Sequence, residues 1–215
     1  NNKTLNGKAS IKGGSFGLLN PSFLLQQKIS PKYAASLSGE WLSAHGEYPY
    51  LLQHSYLGDG TTSNETRKNS DVQNFRIEGA LHANFSENES GYLKAYFYNS
   101  ERGLPGGTIL YNEGAFTSQR IWDNTFFVQS HYENHFSKLL SLQLNAKYHH
   151  GYLHYLDTVV LNSAGFEESY FTQNEYYASA SLLYKAFTNI SFSFSTDASV
   201  NNMFAQFENA ALTES

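Results

Sequence analysis

The sequence has no cysteine. That excludes a disulfide scaffold and thiolate metal sites, and it suits a protein exported through oxidising compartments without requiring one. No apolar run approaches the roughly 18 to 20 residues a membrane helix needs, so a helical membrane protein is excluded. Positive charge is scarce: 14 Lys and Arg stand against 19 Asp and Glu, a net charge of −5. Those cations form no basic footprint, so nucleic acid is not an expected partner. The opening residues Asn1-Asn2-Lys3-Thr4 carry neither the charged start nor the apolar stretch of an export signal. Any such signal is expected to have been removed or to lie outside this sequence.

Aromatic residues are plentiful instead. There are 16 Tyr and 16 Phe beside 4 Pro and 1 Met, with aliphatic side chains spread thinly among Ser and Asn. Aromatic residues alternating with small polar ones in short runs are what a barrel wall requires, because one face meets lipid and the other water. A soluble Tyr-rich β-sandwich is the second architecture this composition admits.

The alternation is explicit along the chain. Phe75, Ile77, Leu81 and Phe85 share one parity while Arg76, Glu78, His82 and Asn84 share the other, a period of two that predicts a strand. Leu140, Leu142, Leu144, Ala146 and Tyr148 alternate with Ser141, Gln143, Asn145, Lys147 and His149, a length suited to a tilted membrane strand. Tyr176 to Lys185 and Ile190 to Ser195 repeat the pattern with mostly small residues on the polar side. About nine strands are expected, roughly at 7–16, 18–29, 33–47, 71–86, 91–102, 119–136, 139–156, 169–187 and 190–203. Short turns are predicted at 30–32, 86–91, 137–138 and 188–189, and long polar loops at 46–70, 99–118 and 150–169. Turns at one end and loops at the other are the arrangement of a membrane barrel. Aromatic clusters at Tyr48 and Tyr50, at Trp122 with Phe126 and Phe127, at Tyr132 with Phe136, and at Tyr148, Tyr152 and Tyr155 are expected to form girdles at headgroup level. An odd strand count with no closing strand leaves backbone groups unpaired in lipid, so a missing remainder is expected.

Four segments carry a family resemblance. The run Lys94-Ala95-Tyr96-Phe97-Tyr98-Asn99-Ser100-Glu101-Arg102-Gly103-Leu104-Pro105-Gly106 resembles the strand and Ser-x-Arg-Gly-x-Pro-Gly turn of TonB-dependent receptors of Bacteroides-type bacteria. Arg67-Lys68-Asn69-Ser70-Asp71 is similar to the lead into the preceding strand, Gln119-Arg120-Ile121-Trp122-Asp123-Asn124 to the start of the following one, and Gly13-Gly14-Ser15-Phe16-Gly17 to the first barrel hairpin. The order and spacing agree over nearly the whole chain.

The resemblance implies an all-β fold: an antiparallel up-and-down transmembrane β-barrel segment covering 1–215, part of a barrel of about 22 strands. Its plug domain and more than half of the barrel are not in this sequence. The implied activity is outer-membrane active transport of a scarce bulky ligand, an iron chelate or siderophore, cobalamin or an oligosaccharide. The implied partners are outer-membrane lipid, the TonB complex acting through the plug, the imported ligand and a surface lipoprotein. The implied location is the cell outer membrane. A passive porin, a structural outer-membrane barrel and a soluble glycan-binding sandwich are the alternatives.

Catalytic and metal chemistry find little footing. His131 and His135 have helical zinc spacing, but the run His-Tyr-Glu-Asn-His lies on a strand pattern, where residues four apart stand about 13 Å from each other. Asp59, Glu65 and Asp71 bracket the longest loop without EF-hand spacing, and read as a solvated acidic loop rather than a calcium site. Gly13-Gly14-Ser15-Phe16-Gly17 matches the letters Gly-x-Ser-x-Gly, but it lies between two strand patterns with no helix to follow and reads as a bend rather than a nucleophile elbow. No cofactor or enzymatic role is expected. Candidate ligand-binding residues are Tyr96, Tyr98, Arg102, Arg120, Asp123 and Tyr155, placed near outer strand ends, either lining a vestibule or pairing across strands to hold the loops.

Overall fold

The computed structural model describes residues 4–53, 62–106, 118–160 and 165–208. Among these there is no helix. Eleven strands run in the order β1 (Leu5–Gly14), β2 (Leu18–Lys28), β3 (Tyr33–Ala44), β4 (Pro49–Gln53), β5 (Thr62–Thr66), β6 (Val72–Ser86), β7 (Glu89–Gly103), β8 (Arg120–His135), β9 (Leu140–Asp157), β10 (Glu167–Phe187) and β11 (Ile190–Glu208). Nine form one sheet, ordered β1-β2-β3-β6-β7-β8-β9-β10-β11, while β4 and β5 pair as a separate hairpin. Every pair is antiparallel. The nine-stranded up-and-down sheet therefore stands where the alternation places it.

Two features depart from expectation. Three strands pass their expected bounds at one end by one or two residues: β7 reaches Gly103 where 102 is expected, β9 reaches Asp157 where 156 is expected, and β10 begins at Glu167 where 169 is expected. The hairpin β4–β5 lies in the expected loop 46–70, and its sequence offers no alternation from which to read it. The links at 29–32, 87–88, 136–139 and 188–189 are short and close one end of the sheet. The opposite end carries the wider links at 45–71, 104–119 and 158–166, together with a tight turn at 15–17. In that turn Phe16 and Gly17 adopt left-handed backbones, with φ of 61° and 73°, so the glycine-rich run Gly13 to Gly17 closes as a hairpin turn.

The sheet is a single layer. The chain exposes 14425 Å² to solvent, against about 10,000 Å² for a compact chain of the same mass. Among the described residues Ala83 is the one buried apolar side chain, while Phe23, Leu25, Leu37, Leu93, Phe192 and Phe194 are exposed. Strands of this alternation normally bury their apolar parity against a second layer. Here that parity is open along the whole sheet.

Candidate functional site: a two-faced wall and its rim

Directly paired residues share a face, so the register sorts every side chain. One face carries Lys8, Ser22, Glu40, Arg76, Tyr98, Thr125, Gly151 and Gln173 in successive strands. The other carries Ala9, Phe23, Gly39, Ile77, Phe97 and Phe126. Among the described strand residues of the nine-stranded sheet, this second face holds charged groups only near strand ends: Glu89, Glu101, Arg120, Glu168 and Glu208. Between those ends it is uncharged and mostly apolar, broken by Asn99, Asn124, Ser130 and Thr196. On β9 the stretch from Leu140 to Tyr148 contributes five such side chains.

Aromatic rings flank the stretch. Toward the short links Phe85 lies 6.5 Å from Tyr132. Toward the wide links Tyr148 contacts Phe126 at 6.4 Å and Tyr176 at 5.0 Å. Beyond them Trp122, His154 and Tyr170 stack at 4.5 Å each, with Glu168 accepting from Tyr170 Oη at 2.7 Å and lying 2.6 Å from His154 Nε2. Phe127 and Tyr155 take the opposite face; Phe127 stacks on Tyr96 at 4.9 Å.

Near the wide links the two faces exchange character over β9 to β11. The apolar face takes on His150, Thr172, Asn174, Asn202 and Gln206, although Phe204 stays with it. The polar face takes on Leu153, Tyr155, Phe171, Met203 and Phe207. Phe171 and Phe207 meet edge to face at 5.7 Å. This apolar patch on the polar face was not anticipated. The signal lay in positions 153, 171 and 207 having the parity of polar neighbours, which only becomes visible once the register is known.

The candidate residues fall on both faces. Tyr96, Tyr98, Arg102, Asp123 and Tyr155 share the polar face, and Arg102 Nη1 pairs with Asp123 Oδ2 at 2.7 Å. Ser100 stands opposite Asp123 in register and is fully buried. Arg120 is on the other face, opposite Gly103. Its guanidinium binds Asp71 Oδ2 at 2.8 Å and Glu101 Oε1 at 2.7 Å. An even separation along one strand is needed to share a face, so Arg120 and Asp123 cannot act together.

Arg120 belongs to a clasp that joins the strand ends. Asn69 Nδ2 donates to Leu104 O at 3.1 Å and to Gln119 O at 2.7 Å. Gly103 N donates to Asp71 O at 3.0 Å, and Leu104 N to Gln119 O at 2.8 Å. Arg67 donates to Gly106 O. Ser118 and Gln119 donate in turn to Asp157 at 3.0 and 2.8 Å, and Ser70 Oγ reaches Gly46 O at 2.7 Å. The guanidinium of Arg120 holds the Asp71 carboxyl below the usual carboxylate range, outweighing the opposite effect of partial burial. The chain matches no known family model, and no curated protein matches it.

Among the described residues the histidines hold no common site. His131 Nδ1 lies 2.7 Å from Asn145 Oδ1, and His135 Nε2 lies 3.2 Å from Glu133. Among the described residues no group of three or more His, Asp or Glu is placed to hold a metal. Asp59 lies outside the described residues.

Proposed function

We propose that the chain is a length of wall from an outer-membrane β-barrel, with its apolar face in lipid and its polar face lining the lumen. The observation that carries this reading is the open apolar face, free of charge between strand ends and uncovered by any second layer among the described residues. On β9 the apolar stretch Leu140–Tyr148 covers about 27 Å of strand. At a tilt of about 40° that is roughly 20 Å of height, close to the apolar band of a bacterial outer-membrane barrel. Rings at both margins suit the two headgroup levels. A soluble sandwich would need a second sheet over this face.

Within that class we favour a TonB-dependent receptor, a binding and import protein rather than an enzyme. Three of the segments that resemble the family, at 67–71, 94–106 and 119–124, meet in one hydrogen-bonded clasp, which gives their residue types a common physical purpose. The nine strands are then part of a barrel of about 22. Tyr98, the Arg102–Asp123 pair and the inner patch of Tyr155, Phe171 and Phe207 face the vestibule. That surface favours a cargo with apolar area and a polar rim over a fully hydroxylated one. A passive porin would share the wall and lack a plug.

In the full-length protein, Tyr98→Ala with Arg102→Ala is expected to lower energy-dependent cargo uptake while leaving the amount of protein in the outer membrane unchanged. Uptake that is unaltered, or equally fast without the proton-motive force, would argue for the passive pore.

A further inference from the structure

The polar face is hollowed at its β1 edge. Side chains of β1, β2, β3, β6 and β7 line a cavity of about 450 Å³, within the range of small-molecule sites. Its charges are not balanced. Lys8, Lys12 and Arg76 face Glu40 and Glu78 there, and both carboxylates are already engaged. Glu40 accepts from Asn20 Nδ2 at 2.9 Å through one oxygen and pairs with Arg76 through the other, while Glu78 pairs with Lys94 Nζ at 2.8 Å. Asn20 is buried and also donates to Trp41 O at 2.9 Å, which fixes the amide that holds Glu40. Among the described residues Lys8 and Lys12 form no ion pair. Ser10 stands between them on β1, Ser22 is opposite Ser10 in register, and Ser38 follows Leu24 in the row of Lys8. Two uncommitted cations therefore flank a floor of hydroxyls.

We propose that Lys8, Lys12 and the hydroxyls of Ser10, Ser22 and Ser38 seat the phosphate group of a small, hydroxyl-bearing phosphate ester. The inference rests on the polar face meeting water, as the lumen reading has it. Residues four apart on a strand stand about 13 Å from each other, and the long flexible stems of two lysines let both ammonium groups close on an anion held above Ser10 and Ser22. A planar carboxylate is best met by the fork of a guanidinium, but the fork of Arg76 is turned to Glu40. What is left, ammonium and hydroxyl donors with no common plane, suits a tetrahedral oxyanion that accepts from several directions. A phosphate group alone would fill only part of the cavity. The rest is walled by Ser38 and Tyr96, whose hydroxyls match those of the ester's body. A phosphate of this kind could also belong to a lipid headgroup, and the water-facing reading selects the dissolved ester.

The test titrates the full-length protein in detergent, by calorimetry, with glucose 6-phosphate, glucuronate and glucose. Saturable binding of glucose 6-phosphate is expected, with glucuronate weaker and glucose silent. Lys8→Gln with Lys12→Gln is expected to weaken that binding about ten-fold or more, the usual consequence of losing charge-assisted hydrogen bonds. Lys185→Gln, on the same face but outside the cavity, should leave it unchanged. Ser22→Asp sets a carboxylate between the ammonium groups and should repeat the loss, which keeps the test decisive if the double variant fails to assemble. Equal binding of glucuronate, binding insensitive to these changes, or no saturable binding would overturn the proposal. A nitroxide attached to Ser10→Cys in lipid vesicles tells that failure from failure of the lumen reading. It is expected to collide more often with a water-soluble nickel chelate than with dissolved oxygen, and with that result in hand absent binding overturns the phosphate seat alone. The reverse preference would place this face in lipid, where a phosphate could come only from a headgroup, and would overturn both.

Discussion

Asn69 adopts a left-handed backbone, φ 54°, a conformation asparagine tolerates better than most residues. This turns its amide toward Leu104 O and Gln119 O, two carbonyls at the inner ends of one wide link. Gly103 lies beneath: a methyl group there would sit well inside contact distance of Asn69 O and Oδ1. Gly103→Ala is therefore expected to destabilise the folded wall by about 1–3 kcal/mol, the usual cost of overpacking. Gly79→Ala, where the nearest atoms are 3.9 Å away, should be close to neutral. Thermal unfolding of the two variants in detergent checks the contrast. The Asp71–Arg120 pair adds a pH dependence. Because the folded pKa of Asp71 is lowered, its contribution is present above the unfolded value of about 3.9 and is lost as pH falls through the folded value. Asp71 is 43% exposed, so solvent screens much of the effect. Asp71→Asn should flatten the decline in unfolding temperature below about pH 4, and an undiminished decline would place its source elsewhere.

At the scale of the strand, face decides tolerance. Leu142 and Gln143 are neighbours on β9 with opposite faces. Leu142→Arg is expected to cost about 2–4 kcal/mol of folding free energy in a bilayer, whereas Gln143→Arg should be nearly neutral; urea titration in lipid vesicles reads both. Equal costs would contradict the assignment of faces. The alternation that marks these faces also made the nine strands legible in the sequence, because a period of two is visible wherever one parity is apolar. It faded at the wide-link ends for a physical reason. Past Tyr148 and Phe97 the apolar parity turns to His150, Asn99 and Glu101, while backbone pairing continues to Asp157 and Gly103. Pairing needs no alternation, so the strands outlast their signal. The hairpin β4–β5 left no trace for the same reason. Of the candidate site, the shared face of Tyr96, Tyr98 and Arg102 could be read from parity within one strand. The opposite placement of Arg120 required the pairing Gly103↔Arg120, which no single strand reveals.

Across the whole molecule the links sort by end, and sidedness follows. These 215 residues have no cysteine, so a thiol introduced among them is read against the unaltered full-length protein as background. In intact cells carrying the full-length protein, Asn64→Cys on the β4–β5 hairpin is expected to react with a membrane-impermeant maleimide. Asn189→Cys, in the tight link between β10 and β11, is expected to react only after the outer membrane is opened. Reaction of both from outside would remove the membrane assignment.

Each strand of the main sheet pairs with the strand next along the chain, interrupted only by the β4–β5 hairpin. No link has to cross another, so two consecutive strands and their turn form a removable unit. Deleting or duplicating such a unit returns the chain to the same end of the sheet with the same parity outward. The width of a sheet built this way can be revised by whole hairpins during evolution or engineering, without rethreading what remains.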